Sequence, residues 1–326
     1  MSGARQSQAA PRALRIGTRA SALAMWQARH VASLIGALPG APPVVLVPIA
    51  TTGDLRTDVP LWAVRGRAFF TKEIDRALLE GRIDVAVHSL KDLPTAMEPG
   101  LALAAVLRRE DPRDALVSRT GAALSQLPRG ARVGTSSLRR RAFLTRARQD
   151  LTLLELRGNV PTRLERLERG DYDAIVLAAA GLKRLGLEQR ITHHLSAEEF
   201  PPAVSQGAIG VCTRADDRLA CEWLQPLDDR PTRLATTAER ALLERIEGGC
   251  QVPLGALAAA TDTGIHLHAA VCALDGSQLL RASGNGAATE AGAAALGLQL
   301  ATELIAKGAG SLIAAERALQ GRAEAP

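Results

Sequence analysis

The stretch Arg15-Ile16-Gly17-Thr18-Arg19-Ala20-Ser21 has a partial copy further along the chain, Val133-Gly134-Thr135-x-Ser137. The first copy predicts a strand from Leu14 to Thr18, followed by a helix that Ser21 caps. A second pair of similar stretches, Gly81-x-x-Asp84 and Gly170-x-x-Asp173, precedes two apolar runs typical of buried strands. The chain therefore contains two similar halves in which strands and helices alternate, and this alternation predicts largely parallel sheets.

Further elements fill out both halves. The first half has these predicted elements: a strand at Val44 to Ile49, a helix capped by Thr71 and ending at Gly81, and a strand at Asp84 to His88. The second half has strands at Arg132 to Thr135, Leu151 to Leu156 and Asp173 to Ala179, a helix capped by Ser136 or Ser137, and another at Thr162 to Arg169. Two such α/β halves leave a cleft at the carboxyl ends of their strands, where ligands bind.

A third region with a different pattern starts near Pro231. It has predicted helices at Thr237 to Ile246 and Ala291 to Lys307, and short strands near Ile265 to Leu274 and Gln278 to Ala282. This pattern predicts a small α+β domain. The charged stretch from 108 to 114 and the prolines after Phe200 are the expected crossings between the two halves.

Composition limits the classes of function. The net charge is +6, and 36 of the 40 basic residues are arginine, which favours an anionic partner. No dense basic run supports nucleic-acid binding. No apolar run approaches the ~20 residues of a membrane span. The four cysteines lack metal-ligand spacing, so no metal site is expected, and a reducing cytoplasm fits them best. The polar stretch from Met1 to Pro11 lacks the apolar core of a signal peptide and is expected to be a disordered leader.

Arginines cluster just after predicted strand ends. The arginines in question are Arg19, Arg139, Arg140 and Arg157, and Arg163 follows about one helical turn after Arg157. Since a guanidinium binds carboxylate through a planar fork, a converging set would hold a ligand with several carboxylates. The simpler alternative is that most arginines are solvated surface.

Asp92 is a candidate for acid–base chemistry. It lies in a tight loop between a strand end and Pro94, which prevents a helix through Leu93. A carboxylate beside arginines can act as general acid and base. From position alone, an aspartate that bonds its own turn backbone is the more common case.

Cys250 is the cysteine that fits a buried core position least. It follows two glycines and precedes Pro253, whereas Cys212 and Cys272 lie in apolar runs. A free loop thiol can be a nucleophile or an attachment point.

These segments, taken together and in order, resemble the porphobilinogen deaminase (hydroxymethylbilane synthase) family. The similarity runs from about Leu14 into the C-terminal region. The matching segments are residues 15–21, 84–94, 109–114, 133–140, 156–160, 180–186 and 247–253.

The resemblance implies two domains like periplasmic binding proteins around a cleft, plus a smaller domain. The implied limits are 14–108 with 203–228 for the first domain, 109–202 for the second and 229–326 for the third. The resemblance also implies a cytoplasmic monomer.

The resemblance further implies a transferase with a dipyrromethane cofactor attached to Cys250 by a thioether. Four porphobilinogen molecules would be deaminated and joined head-to-tail to this primer, and water would release linear hydroxymethylbilane. Asp92 would be the catalytic carboxylate and would also contact the cofactor. The other implied cofactor ligands are Lys91, Thr135, Ser137, Arg139 and Arg140. The implied substrate ligands are Arg19, Ser21, Phe70, Arg157, Arg163 and Arg184.

The chain departs from the family pattern in two places. The loop over the cleft reads Arg65-Gly66-Arg67-Ala68-Phe69-Phe70, with an additional arginine and one glycine fewer than usual. Ser205 replaces a usual glycine, and is expected either to tighten the turn or to adopt a negative-φ variant of it.

Two other classes of function compete with the transferase. A non-catalytic, two-lobed binding protein for a polycarboxylate would share the same architecture, but it needs neither Asp92 nor Cys250. Nucleic-acid binding through basic surface leaves Cys250 unexplained and would weaken steeply with salt.

Overall fold

The computed structural model describes residues 12–55, 70–246 and 252–315, and its strands form three sheets. In spatial order, the first sheet is β2 (Val44–Ile49), β1 (Leu14–Arg19), β3 (Val85–Ser89), β10 (Ile209–Arg214) and β4 (Leu101–Val106). The second is β7 (Thr152–Leu154), β6 (Arg132–Gly134), β8 (Ala174–Ala178), β5 (Asp114–Ser118) and β9 (His193–His194). The third is β11 (Leu254–Ala260), β12 (Ile265–Cys272) and β13 (Leu279–Gly286). The predicted fold class is confirmed.

Besides a helical segment at residues 309–315, nine helices connect and cover these sheets in the part of the chain described. They are α1 (Ala22–Gly36), α2 (Thr52–Leu55), α3 (Lys72–Leu79), α4 (Leu138–Ala147), α5 (Val160–Glu168), α6 (Ala179–Arg184), α7 (Arg218–Leu224), α8 (Arg230–Arg245) and α9 (Glu290–Ala306). The last two pack on the third sheet, around Leu242, Leu267 and Leu300. None of the described helices is long and apolar enough to cross a membrane.

The internal similarity in the sequence reflects a repeated ion pair. In the first sheet, Arg15 donates from its backbone N–H and guanidinium to Asp84, and from Nη2 to Gly81 O at 2.7 Å. In the second sheet, Arg132 makes the same bonds to Asp173, and donates to Gly170 O at 2.9 Å. Each pair joins the start of one strand to the start of its parallel neighbour.

The repeated glycines have a steric reason. A Cβ at Gly17 would lie 2.3 Å from the Ile83 side chain, and one at Gly134 would lie 2.9 Å from the Tyr172 ring. Both contacts are too short, so the glycines allow the helix-to-strand connection to lie against the central strand.

The prediction of largely parallel sheets holds for four of the five strands in each of the two larger sheets. The exception in the first sheet is β10, which runs antiparallel to its neighbours β3 and β4, and the exception in the second sheet is β5, which runs antiparallel to β8 and β9. The reason is the position of the crossings. The chain crosses between sheets at their carboxyl edges, so the entering strand starts there and runs the opposite way. Ile209, the first residue of β10, pairs with Ser89, the last residue of β3. Asp114, the first residue of β5, pairs with Ala178, the last residue of β8.

Several local predictions also need correction. Thr71 precedes α3, but its side chain makes no capping bond. Helix α5 starts at Val160 because Asn159 caps it and Pro161 suits the first turn. Helix α8 starts at Arg230, capped by Asp229, seven residues before the predicted Thr237. Strand β11 was not predicted, because its Ala-rich sequence has weak strand propensity.

Ser205 lies in the crossing that leads to β10, and its φ is +63°. The expected negative-φ alternative is therefore wrong. The backbone N–H of Ser205 donates to Glu239 Oε2 at 2.6 Å, and its carbonyl accepts from Ala208 N at 3.2 Å. These bonds hold a non-glycine residue in the left-handed region, and its buried hydroxyl has no hydrogen-bond partner among the described residues.

Replacing Ser205 with glycine should raise the free energy of unfolding by about 1 kcal/mol, because the left-handed conformation costs a Cβ-bearing residue about that much. The measurement is the denaturant midpoint of the purified protein. Ser205→Ala is the control, since it removes the buried hydroxyl and keeps the Cβ. Glycine should stabilise more than alanine, and equal stability of the two variants would show that the backbone is unstrained.

Candidate active site

The carboxyl ends of β1 and β3 open onto a cavity lined by five of the predicted site residues. These are Arg19, Ser21, Phe70, Lys91 and Asp92, accompanied by Gln27, His88 and Ser89. The position follows from the topology, because adjacent parallel strands end at the same edge of the sheet. The cavity therefore combines two cations with one carboxylate.

Arg19 is the last residue of β1, and its guanidinium lies 4.3 Å from the centre of the Phe70 ring. This cation–π contact orients the arginine. Ser21 is the N-cap of α1, and its hydroxyl accepts from Ala24 N at 3.4 Å. His88 is buried, which lowers its pKa to about 4 and leaves the ring neutral.

Asp92 ends a short 3-10 turn that begins at Leu90, directly after β3. The turn is closed by Leu93 N, which donates to Leu90 O at 3.2 Å. Among the described residues, no hydrogen bond involves the Asp92 carboxylate. The structure therefore does not support the alternative of an aspartate that bonds its own turn.

Lys91 connects the cavity to a buried network. Its Nζ donates to Gln206 Oε1 at 3.1 Å. Burial, together with the charge of Arg140, lowers the pKa of Lys91 to about 8, although Asp92 and Asp114 act in the opposite direction. The ammonium is thus held in a site whose positive charge is only partly compensated.

The fully buried Asp114 is the centre of that network. It accepts from Arg139 Nη2 at 2.7 Å, from Arg140 Nη2 at 2.8 Å and from Gln206 Nε2 at 2.9 Å. Burial alone would raise the pKa of Asp114, but Arg139 and Arg140 lower it, and the net pKa lies well below its ordinary value. This carboxylate remains ionised.

Arg139 and Arg140, which were predicted to anchor a cofactor, are thus already bonded to protein groups. Arg139 also donates to Pro201 O at 2.8 Å, and Arg140 to Val176 O at 2.8 Å. Arg139 Nε is buried without a hydrogen-bond partner among the described residues. Nearby, Ser137 caps α4, and Thr135 Oγ1 accepts from Ser137 N at 3.3 Å.

Arg163 lies among like charges. Its Nε donates to Gly158 O at 2.7 Å. Burial, followed by Arg140 and Arg157, lowers the pKa of Arg163 to about 10, while the Asp92 charge raises it. Arg19 also lowers this pKa, so arginines of both sheets act on one place. Because several guanidiniums lie here with few carboxylates to balance their charge, the place is suited to a polyanionic ligand.

Arg184, on α6, has other surroundings. Its Nη2 donates to Gly207 O at 2.6 Å, and its guanidinium lies 5.8 Å from the centre of the Trp26 ring. Burial lowers its pKa to about 10, and Glu110 opposes that change. The structure thus brings Arg184 to the crossing and to α1, and the cavity described above does not include it.

Sequence reasoning missed Asp114, Gln206, Arg109 and Glu239. Asp114 was part of a charged stretch interpreted only as a crossing, although an acid at the start of the apolar run Ala115-Leu116-Val117 was a usable signal. Glu239 binds Arg109 through two oxygens, at 2.6 and 3.2 Å. Glu239 lies within a predicted helix, and nothing in that local pattern indicates that its partner is 130 residues away.

Three predictions fall outside the described residues, and one of them is the expected leader from Met1 to Pro11. Cys250 lies there, five residues beyond the end of α8. So do residues 65–69 of the cleft loop.

Family models match most of the chain. A model described as "Porphobilinogen deaminase, dipyromethane cofactor binding domain" matches residues 14–222. One described as "Porphobilinogen deaminase, C-terminal domain" matches residues 233–306.

The chain belongs to the porphobilinogen deaminase family. A porphobilinogen deaminase from Syntrophotalea carbinolica is 51% identical over 304 residues, which cover 93% of this chain and 96% of that protein. Membership of the porphobilinogen deaminase family makes the chain a transferase of tetrapyrrole biosynthesis, and the binding-protein alternative is not favoured.

Solved structures with a similar fold are more distant. The methionine-binding protein MetQ is 14% identical, with a TM-score of 0.43, over 70% of this chain and 93% of its own. A periplasmic binding protein with high arginine specificity from Salmonella typhimurium is 14% identical, with a TM-score of 0.36, over 68% of this chain and 93% of its own.

The lowered pKa of Lys91 can be measured in cofactor-free protein. Because an amine reacts with acetic anhydride only when it is neutral, Lys91 should reach half of its maximal reactivity near pH 8. Lys183 is the internal control, since its bond to Glu110 raises its pKa above the ordinary 10.5. Mass spectrometry of the two peptides after pulse labelling gives both titrations. Coincident titration above pH 10 would contradict the description of the Lys91 site.

Proposed function

We propose that this chain is a hydroxymethylbilane synthase that deaminates four porphobilinogen molecules and joins them head-to-tail. The growing chain would be attached to a dipyrromethane primer, held by a thioether to Cys250, and hydrolysis would release the linear product. The observation that carries the proposal is the position of the Asp92 carboxylate in the cavity of Arg19 and Lys91. Because no hydrogen bond among the described residues involves this carboxylate, it is available to interact with a bound substrate.

The residues of the cleft fit a dipyrromethane group. Each of its pyrrole rings carries two carboxylates, and the burial and mutual repulsion that lower the pKa values of Lys91 and Arg163 would be offset by such anions. Arg139 Nε offers a buried donor without a described partner. The proposed ligands are Lys91, Asp92, Thr135, Ser137, Arg139 and Arg140. When bound, the cofactor supplies the pyrrole carbon to which the next ring is joined.

The arginines would bind the substrate and the growing chain. Porphobilinogen carries an acetate and a propionate, which guanidiniums bind through two parallel hydrogen bonds. The proposed substrate ligands are Arg19, Ser21, Phe70, Arg157, Arg163 and Arg184. Since Arg184 lies at the crossing, we expect it to contact later rings of the chain and not the ring in the cavity.

Asp92 would act on the reacting ring. Loss of ammonia leaves a cationic pyrrole, and a carboxylate beside that ring would stabilise its charge. The same carboxylate can accept a hydrogen bond from the pyrrole N–H. It can also exchange protons with the ring while the carbon–carbon bond forms. The cytoplasmic location, the monomeric state and the domain limits at residues 109, 203 and 229 stay predictions.

Asp92→Asn should fold and carry the cofactor, but its turnover should fall by at least about 10²-fold, the scale of a lost general acid–base group. The measurement is the rate of product formation from porphobilinogen, divided by the content of bound dipyrromethane. Normal turnover per loaded enzyme would remove Asp92 from the mechanism.

Cys250→Ser should give protein without a covalent cofactor, because the hydroxyl is a much weaker nucleophile than a thiolate. Cys221→Ser is the matched control, since Cys221 is a partly exposed thiol on α7. Intact-protein mass distinguishes the two variants. Normal loading of Cys250→Ser, or loss of loading in Cys221→Ser, would place the attachment elsewhere.

A further inference from the structure

Arg240 belongs to α8, which packs on the third sheet, yet its guanidinium contacts the first half of the chain. Nη1 donates to Leu93 O at 3.3 Å, and Nη2 donates to Pro94 O and to Thr95 O, the latter at 3.2 Å. These carbonyls belong to the three residues that directly follow Asp92. The Arg240 side chain therefore binds all three residues, 93–95, that follow the turn of Asp92.

Apart from the packing of Leu93 in the core, the segment has few other hydrogen-bond constraints. Between Asp92 and β4 the described chain forms no helix or strand. Among the described residues, no backbone N–H donates to the carbonyls of residues 93–95. Pro94 has no N–H to donate. The guanidinium thus supplies the hydrogen bonds that secondary structure supplies elsewhere.

Arginine suits this role better than lysine. Its donors lie in one rigid plane, so bonds to three consecutive carbonyls fix both the position and the orientation of the turn. A lysine ammonium is a point charge on a flexible stem, so it cannot fix the orientation of three consecutive carbonyls in the same way.

The neighbouring residue anchors the same helix to the crossings. Glu239 accepts from Arg109 Nη1 at 2.6 Å, from Ser205 N at 2.6 Å and from Ala258 N at 2.8 Å. Consecutive residues of α8 therefore bind the crossings and the turn after Asp92. Because Glu239 and Arg240 are adjacent on one rigid helix, their contacts fix the distance from the crossings to the cavity.

We infer that Arg240 is a positioning residue, which holds the Asp92 carboxylate at the reacting ring through the carbonyls of residues 93–95. The inference rests on the proposed function, in which Asp92 is the catalytic carboxylate. Arg240 itself does not line the cavity described above. Its loss should therefore affect turnover and leave substrate affinity nearly unchanged.

The test compares Arg240→Met with Arg233→Met. Arg233 lies on the same helix and also donates to backbone carbonyls, those of Leu103 and Ala104 in β4, and to Asp228. Its loss removes the same chemistry without touching the catalytic turn. Values of kcat and KM for porphobilinogen are measured per dipyrromethane-loaded enzyme, with Asp92→Asn in the same series.

Arg240→Met should lower kcat by about 10- to 100-fold, the effect of a displacement near 1 Å at a catalytic group, and should change KM by less than about twofold. Arg233→Met should change kcat by less than about twofold, and Arg240→Lys should fall between wild type and Arg240→Met. If the methionine variants do not fold, the two lysine variants are compared in the same way.

Equal kcat values for the Arg240 and Arg233 variants, with Asp92→Asn inactive, would overturn the inference and leave the role of Asp92 intact. A rise in KM with unchanged kcat would also overturn it, because Arg240 would then act in binding. Activity of Asp92→Asn would overturn the proposed role of Asp92 itself, and the positioning of that residue with it.

Discussion

The buried Asp114 carboxylate is the constraint on which the rest of the structure depends. It is the first residue of β5, where the chain enters the second sheet, and it binds Arg139 and Arg140 of α4. Gln206, from the return crossing, joins it and extends the network to Lys91. A buried carboxylate is tolerated only when it is paired and hydrogen-bonded. The need to satisfy Asp114 therefore brings both crossings, α4 and the cavity to one point.

The same pairing divides the positive charge of the cleft into two classes. Arg139 and Arg140 share the Asp114 carboxylate, and these direct bonds hold them at the base of the cleft, although burial still lowers the pKa of Arg139. Lys91 and Arg163 are compensated less, and their pKa values are lowered. The second class has the most to gain from a carboxylate-rich ligand, whereas removing Asp114 would leave the first class as uncompensated buried charges.

Local sequence signals predicted a large part of the fold. The two related halves, the positions of most strands and the tight turn at Asp92 followed from glycines, caps and apolar periodicity. The reversed direction of β5 and β10 did not, because the crossings at the carboxyl edges are a property of the whole topology. The arginines at strand ends were found, but their partners were not. Glu239 and Asp114 act through residues that are distant in sequence, and no local pattern carries such a pairing. Arg184 was placed by family resemblance, and the structure puts it at the crossing.

In the proposed function, the cleft extends a covalent chain and does not merely bind a ligand. The most direct measurement is the intact mass of the protein after a brief incubation with a small excess of porphobilinogen. We expect a ladder of species, each heavier than the last by one deaminated pyrrole, with the added mass on the peptide of residues 247–253. An unchanged mass, together with reversible binding of porphobilinogen, would contradict the account and indicate a binding protein.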